Sequence, residues 1–406
     1  MQWLKEIPSH WEERKMKYCF SERSEKNHPD EPILCATQSQ GVIPQSMYAN
    51  RVVVVNKGFE GLKLVKEGDF VISLRSFEGG IEYAYYQGII SAAYTILQPN
   101  NSSSSNYWKI LFKSHPFIQL LQTCVTGIRE GQNINYSMLC RAFLPLPPLP
   151  EQEKIVSYLE DKTSKIDAYV SEKEKEILLL QELKQKTIAD AVTKGLTDVK
   201  MKDYSSLISS SCPEHWKIVR NKSFLSLTGE KVGNKASEFV LLSLTTKGVI
   251  VRDIESGKGK FPKDFDTYQI VKPNDLVFCL FDIDETPRTV GLVEKEGMLT
   301  GAYTVFKVHA ELAFPEYIYN YYLCVDNIKA LKPYYSGLRK TVRADKFQQI
   351  YMPLPPLNEQ RSIVAYIEEK CQKIDKLASE LQSEIDYLKE YKQRLIADSV
   401  TGQMKV

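Results

Sequence analysis

Basic and aromatic side chains crowd one stretch of this chain. Between Ile328 and Phe347 stand Lys329, Lys332, Arg339, Lys340, Arg343 and Lys346 against the acid Asp345, with Tyr334, Tyr335 and Gly337 interleaved. Lysine and arginine neutralise phosphates, and arginine can also bond a guanine edge through two hydrogens. Glycine lets a backbone approach a ligand closely. Ser336, Gly337, Arg339, Lys340 and Arg343 are therefore candidate nucleic-acid contacts, although a merely solvated basic loop would carry the same residues. The first half of the chain has a corresponding polar stretch, Thr126-Gly127-Ile128-Arg129-Glu130-Gly131-Gln132-Asn133. Glutamine and asparagine read adenine when placed in a major groove, so Arg129, Gln132 and Asn133 join the candidates. Two further pairs of loops follow: Gln38-Ser39-Gln40 with Thr245-Thr246-Lys247, and Arg75-Ser76 with the segment around Arg288. In each pair the flanking residues match while the polar ones differ, the pattern of one scaffold carrying two specificities.

Other chemistry finds little support. No glycine-rich loop ends in Gly-Lys-Ser/Thr; Gly257-Lys258-Gly259-Lys260 is nearest and its spacing is wrong. No methyl-donor or dinucleotide motif is present. The histidines 10, 28, 115, 215 and 309 do not cluster, and His10 and His215 each precede a tryptophan, which suits packing better than catalysis. Asp282, Asp284, Glu294 and Lys295 could supply a metal-dependent nuclease centre, but such combinations arise commonly by chance. No catalytic, metal or cofactor site is therefore expected. The eight cysteines are scattered with no Cys-x-x-Cys pair, as in a reducing cytoplasm. No apolar run is long enough for a membrane span, and the acidic residues near the start do not suit a signal peptide. The net charge of +2 is uninformative, so nucleic-acid binding must come from local clusters.

The elements that would position these loops are announced by a repeat. Residues 144–167, LPLPPLPEQEKIVSYLEDKTSKID, recur as 352–375, MPLPPLNEQRSIVAYIEEKCQKID, 208 positions later. IADAVT (188–193) recurs as IADSVT (396–401). Weaker matches precede each motif: His10-Trp11 with His215-Trp216, Gly41-Val42-Ile43 with Gly248-Val249-Ile250, and 88–97 with 297–306. The order is globule, helix, globule, helix, with close-copy helices and diverged globules. Positions 367, 374, 381, 388 and 395 are Ile, Ile, Leu, Leu, Leu, a seven-residue spacing; Leu159, Ile166 and Leu180 form the matching row. Lys184 and Lys392 fall at equivalent seam positions and would fix register. The prolines of PLPPL mark each helix start, Asn358 reads as an N-cap, and Gly195 and Gly402 read as C-caps. Two matching stripes in one chain are hidden most economically by packing on each other, antiparallel. Pairing with a second chain, or covering the helix's own globule, would also hide them. The globules read as α+β, with strands such as 51–55, 70–74 and 275–280 and helices near 106–124 and 314–331.

With the two PLPPL-x-EQ motifs, the long helices and Ser336-Gly337-Leu338-Arg339-Lys340 in view, the chain resembles the specificity subunit of type I restriction–modification systems over essentially its whole length. The resemblance implies two target-recognition domains in tandem repeat, 1–143 and 201–351, separated by spacer helices in 144–200 and 352–406 that form an intramolecular antiparallel coiled coil. Each domain would read one half of a split, asymmetric site in double-stranded DNA. The helices would set the half-site spacing and dock methyltransferase subunits, with Glu151, Gln152, Glu359 and Gln360 as docking candidates. A translocating restriction subunit would join the complex, and methyl donor and ATP would sit on those partners.

Overall fold

The computed structural model describes residues 3–4, 6–49, 58–100, 104–126, 133–252 and 265–406. It divides into two compact units, Met1–Glu174 with Gln382–Val406, and Lys175–Leu381. The expected strand at 51–55 lies outside the described residues.

The first unit carries a four-stranded antiparallel sheet of β1 (Phe20–Arg23), β2 (Phe70–Ile72), β3 (Glu82–Tyr83) and β4 (Thr95–Pro99), in the order β1-β4-β2-β3. Helices α1 (Ser105–Leu111) and α2 (His115–Thr123) bury Tyr107, Trp108, Leu111 and Phe117 in one core with Phe20, Phe70 and Leu97. The helical stretch expected near 106–124 is two helices; Pro116 at the start of α2 separates them, because its ring nitrogen cannot donate to the preceding turn. Between β1 and β2 the strands Leu34–Thr37 and Gly41–Pro44 form a hairpin. A ribbon of Glu12–Lys15 paired with Phe143–Leu146 leads into α3 (Leu149–Lys194).

The second unit repeats this plan. Its sheet is β5 (Leu225–Thr228), β6 (Leu276–Phe278), β7 (Val290–Leu292) and β8 (Thr304–Val308), ordered β5-β8-β6-β7. Helix α4 (Pro315–Asn327) buries Tyr317, Ile318, Tyr321 and Tyr322 against Phe278 and Phe306. The hairpin is Leu242–Thr245 with Gly248–Val251, and the ribbon Lys217–Arg220 with Tyr351–Leu354 leads into α5 (Leu357–Val400). The turns before β2 and β6 are built alike. The Asp69 carboxylate accepts from the Lys66 amide at 2.8 Å and Asp275 from the Lys272 amide at 2.8 Å. Gly68 takes φ +90° in one turn and Asn274 φ +74° in the other, the left-handed region that asparagine tolerates.

The 46 residues of α3 and 44 of α5 make helices on the order of 65–70 Å long. Both begin just after a proline pair. The Pro148 carbonyl accepts from Glu151 and Gln152, and the Pro356 carbonyl from Glu359 and Gln360. The cap position therefore falls on Pro356, and Asn358 lies inside the first turn instead of capping it. Gly195 and Gly402 end the helices at φ +75° and +72°.

Within each unit the helices run antiparallel. In the first, Ile155, Val156 and Leu159 of α3 share a core with Leu395 and Val400 of α5; in the second, Ile188, Ala191 and Val192 of α3 share one with Ile363, Val364 and Ile367 of α5. The seam lysines reach carboxylates on the opposite helix: Lys392 to both oxygens of Asp167 at 2.6 Å, and Lys184 to both of Asp375 at 2.7 Å. The helix ends are also built into the globules. The buried Tyr107 hydroxyl donates to the Val400 carbonyl at 2.9 Å, and the equivalent Tyr317 to Val192 at 3.1 Å. Burial raises both phenols well above their ordinary pKa, so they stay donors.

Candidate nucleic-acid interface

The basic stretch of the second unit folds as a tight turn. Ser336 and Thr341 exchange backbone hydrogen bonds, with Gly337 at φ +75° and Lys340 at φ +43°. The turn is braced against the loop that follows β6: the Asp282 amide donates to Arg339 at 2.9 Å and the Val342 amide to Leu280 at 2.8 Å. Charge pairing divides its cations. Lys340 lies 3.2 Å from Asp284 and 3.6 Å from Glu285, and Lys332 lies 3.4 Å from Asp284. The hydrogen bond to Asp284 lifts the Lys340 ammonium above its ordinary pKa. Burial opposes ionisation of Asp284, yet hydrogen bonds from Lys340 and Lys332 outweigh it and hold the carboxyl below its usual range. Arg343 bonds Asp345 at 3.1 Å on the surface. The exposed Arg339 guanidinium has no ion-pair partner among the described residues.

Arg288 is placed differently from its expected role. Its guanidinium lies 3.1 Å from the carboxylate of Asp326, which is 3 % exposed and also takes Lys329 at 2.7 Å and the Thr289 hydroxyl at 2.6 Å. Asp326 ends α4, where the helix dipole disfavours a negative charge. Two cations offset that cost, so Arg288 is a structural counter-ion. Asp284 and Asp326 are thus spent on lysines and arginine, and no group of three or more metal-ligating side chains exists among the described residues.

In the first unit the candidate loops gather around the short helix Ser76–Gly79. Gln38 packs against Gly79, and the Lys113 ammonium ties the loops together by donating to the Gln38 carbonyl at 3.2 Å, the Gly79 carbonyl at 2.9 Å and Glu82 at 2.6 Å. Burial raises the Glu82 carboxyl, with Lys113 pulling back. The strand Asn133–Ile134 packs on the same short helix. Gln38, Ser39, Gln40, Arg75 and Asn133 are exposed, whereas Ser76 is buried at 1 % and its hydroxyl accepts from the Ser73 amide. Ser76 thus shapes the turn instead of facing a ligand. Arg129 and Gln132 lie outside the described residues.

The hairpin tips correspond between units. The Thr37 hydroxyl donates to Gly41 and accepts from Gln40; the Thr245 hydroxyl donates to Gly248 and accepts from Lys247. This leaves Gln38, Ser39 and Gln40 exposed on one tip, and Thr246 and Lys247 on the other.

Of the Glu-Gln pairs expected to dock partners, the glutamines turn inward while the glutamates stay partly exposed. Gln152 is 0 % exposed; it accepts from the Ser104 amide and donates to Pro147, both at 2.8 Å. Gln360, also 0 % exposed, accepts from the Phe314 amide at 2.7 Å and donates to Pro355 at 2.8 Å and Leu312 at 3.2 Å. Neither amide has a face left for another subunit. Glu151 bonds His10 at 2.9 Å, while Glu359 bonds His215 at 2.8 Å and accepts from Trp216 at 3.0 Å. The motifs PLPPL-x-EQ and His-Trp therefore form one lock between helix start and globule in each unit. The signal was available: two motifs repeated at a near-constant offset are expected to touch.

Comparison with known proteins agrees with this duplicated plan. The type I restriction modification DNA specificity domain matches twice, over residues 8–179 and 213–387. The specificity subunit of the type I restriction enzyme MjaVIII from Methanocaldococcus jannaschii is 23 % identical over 361 residues, spanning 84 % of this chain and 80 % of its own. Among solved structures, the HsdS subunit from Thermoanaerobacter tengcongensis shares 15 % identity at a TM-score of 0.55, over 98 % of this chain and 99 % of its own. A chain described under complex assembly and conformational transition of the type I R-M system shares 14 % identity at a TM-score of 0.70, over 98 % of this chain and all of its own. The described residues contain no helix long and apolar enough to cross a membrane. Matched once in each repeat, the chain belongs to the type I restriction modification DNA specificity domain family.

Proposed function

We propose that this chain is the DNA-reading, non-catalytic specificity subunit of a type I restriction–modification complex. Each unit reads one half of a bipartite, asymmetric site in double-stranded DNA. One observation carries the reading most strongly. The same loop scaffold occurs twice, held by matching Thr and Gly residues, while its exposed polar side chains differ. Gln38, Ser39, Gln40, Arg75, Arg129, Gln132 and Asn133 serve one half-site. Thr246, Lys247, Ser336, Gly337, Arg339, Lys340 and Arg343 serve the other. The helices set the separation, and two linked readers gain from the effective concentration that the first contact gives the second.

Methyl donor and ATP belong on partner subunits of the cytoplasmic complex, a methyltransferase and a restriction translocase. Docking of the methyltransferase falls to the outer helix surface. Leu179 and Leu183 of α3 and Tyr387 and Tyr391 of α5, each pair 208 positions from the other, are all at least half exposed. Matching apolar pairs one turn apart suit two copies of one partner. The test is methylation sequencing of DNA from cells expressing the chain with its methyltransferase subunit. A split, non-palindromic motif is expected, and replacing residues 1–143 by those of another family member should change one half only. Methylation or cleavage by the purified chain alone would overturn the reading.

A further inference from the structure

The apex of the basic turn is not basic. Leu338, between Gly337 and Arg339, is 104 % exposed, more than any other large apolar side chain among the described residues. An apolar side chain with no neighbours gains nothing from the fold. Its setting is nonetheless firm: the Ser336–Thr341 backbone pair closes the turn, and the Asp282 and Val342 hydrogen bonds hold its base. The turn therefore presents leucine at a fixed point, with the unpartnered Arg339 beside it and Lys340 behind it on Asp284. The other repeat preserves this feature in sequence. Gly127-Ile128-Arg129 answers Gly337-Leu338-Arg339, so apolar answers apolar at the corresponding sequence position while the next residue changes from Lys340 to Glu130. A residue that only needed to be soluble would have no reason to remain aliphatic in both copies.

We propose that Leu338 is a base-reading side chain, packing against the C5 edge of a pyrimidine in the major groove while Arg339 holds the neighbouring base or phosphate. The groove is wide enough for a two-stranded turn, and its apolar feature is the thymine methyl. Leucine at the apex converts that methyl, or its absence, into affinity. The inference rests on the DNA-reading assignment of this turn.

The experiment uses the full chain assembled with its methyltransferase subunits and duplexes carrying the motif found by methylation sequencing. Leu338→Ala is expected to lower affinity for the cognate duplex roughly tenfold to a hundredfold, the range for burying one leucine side chain. Binding to a scrambled duplex, the slope of affinity against salt and the melting temperature should all stay unchanged. Every base pair contains one pyrimidine, so its C5 methyl can be removed from thymine or added to cytosine at each position of the half-site. At one or two positions this should alter wild-type affinity severalfold and leave the Leu338→Ala variant indifferent. Unchanged cognate binding in Leu338→Ala, equal losses on cognate and scrambled DNA, or the same methyl response in both proteins overturns the inference. Arg339→Ala separates the two levels. If it weakens binding and Leu338→Ala does not, only the role of Leu338 fails; if neither matters, the turn itself is not a DNA contact.

Discussion

Replacing Gln360 by alanine removes three hydrogen bonds, to the Phe314 amide, the Pro355 carbonyl and the Leu312 carbonyl. Leu312 is half exposed, so its carbonyl can turn to water. The Phe314 N–H and Pro355 C=O lie at the base of α4 and α5, where no replacement is at hand. Each lost bond is worth about 1 kcal/mol net, and a buried group left unpaired adds about 1–3 kcal/mol. Three lost bonds and two stranded groups sum to about 5–9 kcal/mol, which water entering the space left by the amide reduces to about 3–5 kcal/mol. For a unit of roughly two hundred residues this lowers the melting temperature by about 6–20 °C. Gln152→Ala removes only two bonds, to Ser104 and Pro147, and should cost the first unit about 4–8 kcal/mol before water enters and about 2–4 kcal/mol after it. Calorimetry measures the melting shift, and hydrogen exchange read by mass spectrometry follows the peptide holding Phe314 in one variant and Ser104 in the other. Each substitution should deprotect its own unit's peptide and leave the other unit's unchanged. Melting within 2 °C of wild type together with unchanged exchange at Phe314 would refute the claim that Gln360 locks the helix to the globule.

Four further outcomes follow from the geometry. Asp326→Ala should destabilise the second unit by about 3–5 kcal/mol, because it strands two cations around a buried site, whereas Arg288→Ala leaves Lys329 in place and should cost about 1–2 kcal/mol; urea unfolding measures both. Arg339→Ala should weaken DNA binding more than Lys340→Ala, since Lys340 is already held by Asp284, and the double variant should lower the salt slope by about 1–2, read by titrating salt in a binding assay. Lys184→Leu with Lys392→Leu should raise the melting temperature yet loosen helix register, which disulfide trapping between paired seam positions detects. Burial raises the Glu82 carboxyl, so its contribution to stability is fully present below the unfolded carboxyl's pKa and is lost as pH rises through the folded value; the acid-side gain in the first unit's melting temperature should vanish in Glu82→Gln.

The helices were the most legible part of the chain, because a seven-residue apolar spacing and proline before each start leave few alternatives. Even there Asn358 misled: the helix starts at Leu357, so the cap position falls on Pro356 and Asn358 sits within the first turn. Helix was legible near 106–124, and Pro116 marks where its two pieces part. Arg288 and Ser76 were singled out from paired loops in the two repeats; Ser76 is buried and Arg288 is tied to Asp326. What decides their roles is a partner elsewhere, Asp326 for the one and the Ser73 turn for the other. A sequence pattern does not carry that pairing. Gln152 and Gln360 illustrate the same limit in reverse. Their repetition marked them as important, but repetition alone does not distinguish a group that meets another subunit from one that seals an internal joint.

The internal joint explains why the two halves diverged unevenly. Each globule meets the start of one long helix through Glu, Gln and His-Trp, and the end of the other through a tyrosine bonded to its last-turn carbonyl. A substitution at any of these positions disturbs a globule and a helix at once, so both copies keep the same residues. The loop tips answer to looser demands. The Thr37 and Thr245 hydroxyls and the positive φ of Gly41 and Gly248 hold the hairpin turns, and Asp69 and Asp275 hold the turns before β2 and β6. Once those positions are fixed, Gln38-Ser39-Gln40 can stand in one copy and Thr246-Lys247 in the other, because exposed tip side chains contribute little to folding. Constancy at the joint and freedom at the tip arise from the same division of labour. The hydrogen bonds that hold each turn come from residues other than those that face outward, so new polar combinations can be tried at the surface without loosening the frame that carries them.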